Sequence, residues 1–194
     1  TETMALVEAA YKPGVTFADA FAAMLQSLFP ASGLVFVDPA DPELKKLLAP
    51  VILQELETYP TSGEEVIKRS AELEEQYHAQ VKPRAVNLFY LHKGGRYPIE
   101  PIDYGFFLKG TRQRFTSDEL LEIANEHPEN FSPNVLLRPL FQDFLFPTAA
   151  YVAGPSEVAY FAQLQPVYDH FQVPMPIIFP RPGMTILEKK IQKL

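Results

Sequence analysis

Apolar positions recur in two different rhythms along this chain, and the places where the rhythm changes divide it. Residues 15–29, "VTFADAFAAMLQSLF", put Phe17, Phe21, Met24, Leu25 and Leu28 at helical spacing, which predicts an amphipathic helix. "GLVFVD" (33–38) is a short continuous apolar run entered by glycine, the pattern of a strand buried in a parallel sheet. Asp41 with Pro42 behind it predicts an N-cap and first helical position, opening a helix over 42–58. A second, more charged helix, "SGEEVIKRSAELEEQY", is expected over 62–77.

From Val86 the period shortens. "AVNLFYLHKGGRYPIEPIDYGFFLKG" holds three aromatic or β-branched runs broken by Lys-Gly-Gly and by prolines, which predicts a β-meander with a hairpin at Gly94–Gly95. Thr116 and Glu119 have capping-box spacing and open a helix that should end before Pro128. From Asn134 onward, helix and strand alternate: "NVLLRPLFQDFLF" reads as helix, "TAAYVAG" as strand, 155–171 as helix, "PMPIIFP" as strand, and Thr185 as the start of another helix.

Alternation of this kind implies a parallel sheet with helical crossovers. The expected fold is therefore α/β, with a Rossmann-like parallel sheet built from strands at 33–38, 148–153 and 176–179. The expected divisions are a first part of the core at 1–61, an inserted mixed α/β subdomain carrying the meander at 62–133, the second half of the core at 134–183, and a terminal helix beginning at 184–194.

Composition narrows the function. With 194 residues, a net charge of −7 and no long basic block, the chain is poorly suited to binding nucleic acid through phosphate neutralisation. The absence of cysteine excludes disulfides and thiolate metal sites and suits a cytoplasmic protein. The longest apolar runs, "LLAPVIL" and "VPMPIIF", are too short to span a bilayer. The chain opens at "TETMALVEAAYKP" without methionine and stops at "TILEKKIQKL" within a helical pattern, so it is expected to be an excerpt of a longer polypeptide.

The candidate chemistry clusters in the last third. Glu157, Tyr160, Phe161, Leu164, Val167, Tyr168 and Phe171 share one helical stripe. Its first member, Glu157, lies in the first turn after the "AGPSE" segment, facing the crevice where open α/β sheets bind ligands. There it could hold a ribose or an amine, and Gly154 could admit a ligand to the backbone. The competing reading makes Pro155 the first helical residue and Glu157 a capping carboxylate at the third.

In "RPLFQD", Arg138 and Gln142 share a face, and a guanidinium there can grip a carboxylate or phosphate through two parallel hydrogen bonds; a structural pairing of Arg138 with Asp143 is the alternative. "FPRPGMT" offers Arg181, Gly183 and Thr185 on a loop leaving the last strand, equally readable as a plain connector. His78, His92, His127 and His170 lack metal-ligand spacing, so no metal is implied, and no phosphate-loop, dinucleotide or nucleophile-elbow motif is present.

Taken in order, "VTFADAFAAMLQSLFPASGLVFVDPADPELKKL", "NLFY", "NEHPENFSPNVLLRPLFQDFLFPTAAYVAGPSEVAYFAQL" and "MPIIFPRPGMTILEKKI" resemble the bacillithiol biosynthesis cysteine-adding enzymes, with Glu126 to Glu157 the most specific block. The resemblance covers almost the whole chain. It implies a core like that of class I aminoacyl-tRNA synthetases, connecting insertions, and a C-terminal coiled coil that dimerises. The implied reaction joins cysteine to the amino group of glucosaminyl malate, with ATP or a related nucleotide as activator.

In that frame Arg138, Gln142, Asp143, Gly154, Pro155, Glu157, Tyr160, Arg181 and Thr185 become expected substrate- or nucleotide-binding positions, with Glu157 the candidate for a catalytic role. The "PRPGMT" loop departs from the synthetase pattern in lacking a lysine pair. An isolated excerpt is expected to be inactive. The alternative is a non-catalytic interaction module that associates through its terminal helix.

Overall fold

The computed structural model describes residues 2–74, 78–185 and 187. They form two compact units, residues 1–41 and 42–194.

The first unit contains two helices, α1 (Glu2–Ala10) and α2 (Phe17–Leu28). Thr16 caps α2 by accepting the Asp19 amide at 3.1 Å, which anchors the expected helix at the right place. The expected strand at 33–38 does not form: Gly33 lies in a turn and Leu34–Asp38 have no regular structure. An apolar β-prone run becomes a strand only when a neighbour supplies ladder hydrogen bonds, and this unit contains no other strand among its described residues.

The second unit begins with α3 (Pro42–Lys46), α4 (Ala49–Thr58) and α5 (Thr61–Leu73). The single helix expected over 42–58 is split. Pro50 cannot donate to the Lys46 carbonyl and would clash with it, so the chain tightens through Leu47 and Leu48 and starts a new helix.

The meander follows as β1 (Leu88–His92), β2 (Gly95–Ile102), β3 (Gly105–Leu108) and β4 (Arg114–Phe115). With β5 (Phe131–Pro133) it makes an antiparallel sheet in the order β4-β3-β2-β1-β5. The largest sheet is thus antiparallel, which corrects the expectation of a mainly parallel one: short loops join its strands, and parallel neighbours would need long crossovers. The first hairpin turns at Lys93–Gly94, one residue earlier than expected. Both residues have positive φ, 49° and 77°, and His92 faces Gly95, as a two-residue primed turn requires.

After the sheet come α6 (Ser117–Glu126), with the expected Thr116–Glu119 capping box, and then α7 (Arg138–Leu145). The helix expected from Asn134 starts only at Arg138, because the buried Asn134 side chain accepts the amides of Leu136 and Leu137 and holds them in a turn. The chain ends its described elements with β6 (Ala150–Ala153), α8 (Pro155–Phe171) and β7 (Ile177–Pro180). Strands β6 and β7 pair in parallel with α8 between them in sequence, the one parallel pairing among the described residues. The helix expected from Thr185 falls largely outside the described residues.

One core joins the elements of the second unit. Ile52, Leu56, Val66, Phe106, Leu120 and Leu164 are all within it, so helices on both sides of the meander share it. Several polar groups inside are linked in a network. Glu55 accepts the Asn87 amide at 2.7 Å, and Asn87 in turn bonds Ser62 and Asn134.

Helix α8 is pinned along its middle and end. Pro166 leaves the Ala162 carbonyl without its helical donor, and Arg69 of α5 supplies one at 3.2 Å. Gln163 accepts the amides of Gln80 and Val81, and Gln54 donates to the His170 carbonyl.

Candidate functional site

The β6–α8 turn is built from alternation followed by a cap. Along β6, Tyr151 points toward α8, its ring 4.7 Å from that of Phe161, while Val152 is 57% exposed on the other face. The chain then passes Gly154 and enters α8 at Pro155, whose fixed φ suits the first helical position. Two turns along, Phe161, Leu164, Val167, Tyr168 and Phe171 are buried, as the stripe predicts.

Glu157 is held from both sides. Its Oε2 accepts the Gly154 amide at 2.8 Å and its Oε1 accepts the Tyr151 hydroxyl at 2.8 Å. These bonds, the Gly154 amide first, keep the carboxyl below the usual glutamate range, and the charges of Arg181 and Arg138 act in the same direction. The capping reading of Glu157 is therefore realised, and both of its oxygens are occupied within the chain.

Arg181 is the first residue past β7. Its amide donates to the Ala153 carbonyl at 2.7 Å, extending the parallel ladder by one bond. Its guanidinium crosses the turn, with Nη2 2.9 Å from the place a Cβ on Gly154 would occupy. The expectation that Gly154 opens the backbone to a ligand thus acquires a specific occupant, a side chain of the same protein.

Arg138, at the start of α7, acts on the same group. Its positive charge eases the ionisation of Tyr151 and Tyr160, although burial still raises both phenols, Tyr160 to about 12. The Tyr160 hydroxyl donates to the Val135 carbonyl.

Further along α8, Tyr168 donates to Asp143 Oδ2 at 2.6 Å; burial first, and this carboxylate second, push its hydroxyl well above the usual range. Arg138 and Asp143 do not form the direct ion pair considered from sequence; Asp143 takes Tyr168 instead. The Asp143 Oδ1 is buried with no partner among the described residues.

The structure therefore brings together Arg138, Gly154, Glu157, Tyr160 and Arg181 around the carboxyl ends of β6 and β7, whereas Asp143 lies with Tyr168 further along α8. Pro155 lies exposed at the head of α8. Gln142 contributes its carbonyl to the end of α7 and makes no side-chain hydrogen bond among the described residues. Thr185 is exposed on the loop beyond Arg181.

Sequence reasoning missed Tyr151 and the polar role of Tyr168. A tyrosine among Phe and Leu on a buried stripe needs a hydroxyl partner, and that was the available signal. Tyr90 packs against Phe115 and Phe131 in the core. Among the described residues no group of three His, Cys, Asp or Glu could hold a metal ion, and no helix is long and apolar enough to cross a membrane.

Comparison with known proteins supplies the relatives. Residues 1–182 match the family model described as "Bacillithiol biosynthesis BshC, N-terminal Rossmann-like domain". A protein of Chlorobaculum tepidum named "Putative cysteine ligase BshC" is 45% identical over 99% of this chain and 35% of its own length. Its namesake in Salinibacter ruber is 47% identical over 98% of this chain and 35% of its own. One in Flavobacterium johnsoniae is 33% identical over 97% and 35%. The chain thus spans about a third of the length of the curated relatives it matches.

Proposed function

Because this chain belongs to the bacillithiol biosynthesis BshC family, we propose that it forms part of a ligase that adds cysteine to the amino group of glucosaminyl malate. Relatives along nearly the whole chain carry the cysteine ligase name, which supports the reading. The observation that carries it in the fold is the placement of two guanidinium groups, Arg138 and Arg181. Both bear on the Tyr151–Glu157 pair at the carboxyl end of parallel strands. That end is where open α/β folds bind ligands.

A carboxylate does not acylate an amine at useful rates until one of its oxygens becomes part of a good leaving group. In the proposed reaction the cysteine carboxylate attacks a phosphorus of ATP or a related nucleotide and expels the remaining phosphate portion. The amine of glucosaminyl malate then attacks the acyl carbon. The acyl–oxygen bond breaks, the phosphate departs with that electron pair, and the amine sheds a proton. Arg138 and Arg181 would stabilise phosphate or carboxylate oxygens as charge moves onto them.

Glu157 is steadied by the two donors its oxygens accept, and the second lone pair on each oxygen could still hold an amine. The full-length protein is expected to act in the cytoplasm as a homodimer, with this segment inactive alone.

The test is product formation by the full-length protein supplied with cysteine, glucosaminyl malate and ATP. Mass spectrometry should detect the amide, with ATP consumed in step. A full-length protein that binds these compounds yet forms no amide would remove the ligase reading.

A further inference from the structure

Gly154 has no conformational need to be glycine. Its φ and ψ, −71° and 169°, are extended values open to any residue. What a side chain there would meet is the end of Arg181: a Cβ would lie 2.9 Å from Nη2 and 3.4 Å from Glu157 Oε2. The first distance is too short to survive, and the group that would yield is the flexible tip of an arginine. The backbone of Arg181 cannot yield with it, because its amide is tied to Ala153.

The surroundings of the guanidinium are equally specific. Its side chain makes no hydrogen bond among the described residues, so its donors stay available. Glu157 attracts it without consuming those donors, because the Gly154 amide and the Tyr151 hydroxyl hold both carboxylate oxygens at 2.8 Å. A free carboxylate beside an arginine would swing into a two-bond pair and neutralise it. This one is tethered.

We infer that the absent side chain of Gly154 forms a slot that seats the guanidinium of Arg181, and that Gly154, Tyr151 and Glu157 are positioning residues for it in the ligation proposed above. The inference rests on that reading for its catalytic meaning. The slot itself can be measured separately.

The experiment uses the full-length protein with Gly154→Ala, Arg181→Ala and the double variant. Each single change is expected to lower kcat/KM for cysteine addition by about tenfold or more, the loss of one charge-assisted contact. The double variant should be no worse than Arg181→Ala alone, because both changes take the same guanidinium out of the slot. Guanidinium chloride at millimolar concentration should restore activity to Arg181→Ala but not to the double variant, whose slot is filled; a merely structural glycine would not produce that difference.

A carboxyl NMR titration of Glu157 supplies a readout independent of turnover. Gly154→Ala and Arg181→Ala should each raise its pKa, and the two together no further. Additive losses, equal rescue in both backgrounds, or a Glu157 titration unmoved by Gly154→Ala would overturn the slot. If the wild type forms no amide while the titration behaves as expected, the functional reading fails and the seating of Arg181 stands.

Discussion

Tyr168 donates its phenolic hydrogen to Asp143 Oδ2 at 2.6 Å and so ties α8 to α7 inside the core. The other oxygen of Asp143 is buried without a partner, which makes this bond the carboxylate's main compensation for leaving water. Tyr168→Phe should therefore cost about 2–3 kcal/mol of stability. Adding Asp143→Leu should recover part of that, because removing both polar partners is cheaper than orphaning one. Urea denaturation of the three variants checks this, and an unchanged midpoint for Tyr168→Phe would count against it.

Glu55 predicts the opposite trend with pH from an ordinary surface acid. Burial, its largest influence, raises its carboxyl above the usual value despite hydrogen bonds from Ser62 and Asn87. Between the unfolded pKa and the raised folded one, the native state binds the extra proton, so stability falls as pH rises through that window. Glu55→Gln keeps an acceptor for the Asn87 amide and carries no charge. It should be the more stable protein at neutral pH, with its advantage shrinking as pH falls toward the unfolded carboxylate range. Thermal melts across that range read the difference, and parallel curves would contradict it.

Glu157 has the reverse sign. Its folded pKa is depressed, chiefly by the Gly154 amide and then by Tyr151, so its contribution is present above the unfolded glutamate value and is lost as pH falls through the folded one. Compared with Glu157→Gln, the wild type should lose stability selectively on acidification below the unfolded value. Near neutral pH the gap between the two should be flat. Melting temperatures collected at closely spaced pH values would show the divergence or its absence.

Pro166 and Arg69 form a linked pair. Arg69 supplies the donor that Pro166 denies the Ala162 carbonyl. Arg69→Ala should cost about 1–2 kcal/mol, the usual range for a charged donor lost from a part-buried carbonyl. In a Pro166→Ala background, where the helix regains its own N–H, the same change should cost clearly less. Independence of the two substitutions in a denaturation cycle would refute the pairing.

Local chemistry was the most legible layer of this molecule in its sequence. The Thr116 capping box, the amphipathic helix within 15–29 and the full span of α8 follow from short-range pattern, because caps and amphipathic stripes are decided within a few residues. Sheet membership was less legible. "GLVFVD" has the composition of a buried strand and forms none, while Phe131–Pro133, unremarked in the sequence, completes the antiparallel sheet against β1. Strand pairing depends on partners far away in the chain, which composition does not encode. At the site, Arg138, Gly154, Glu157 and Arg181 were all visible as residues. That Gly154 makes room for Arg181 was not, because their proximity arises only when β7 lies beside β6.

The attachment of α8 gives the site a mechanical character. Donors and acceptors from α4, α5 and the 78–81 segment grip the helix from Ala162 to His170, whereas its first turn is steadied by the Glu157 cap and by Tyr160 on Val135. Seventeen residues of helix make a rod about 25 Å long, clamped over its far half. Damage to the clamp, far from any arginine, would tilt the rod's free end and misaim the groups it presents.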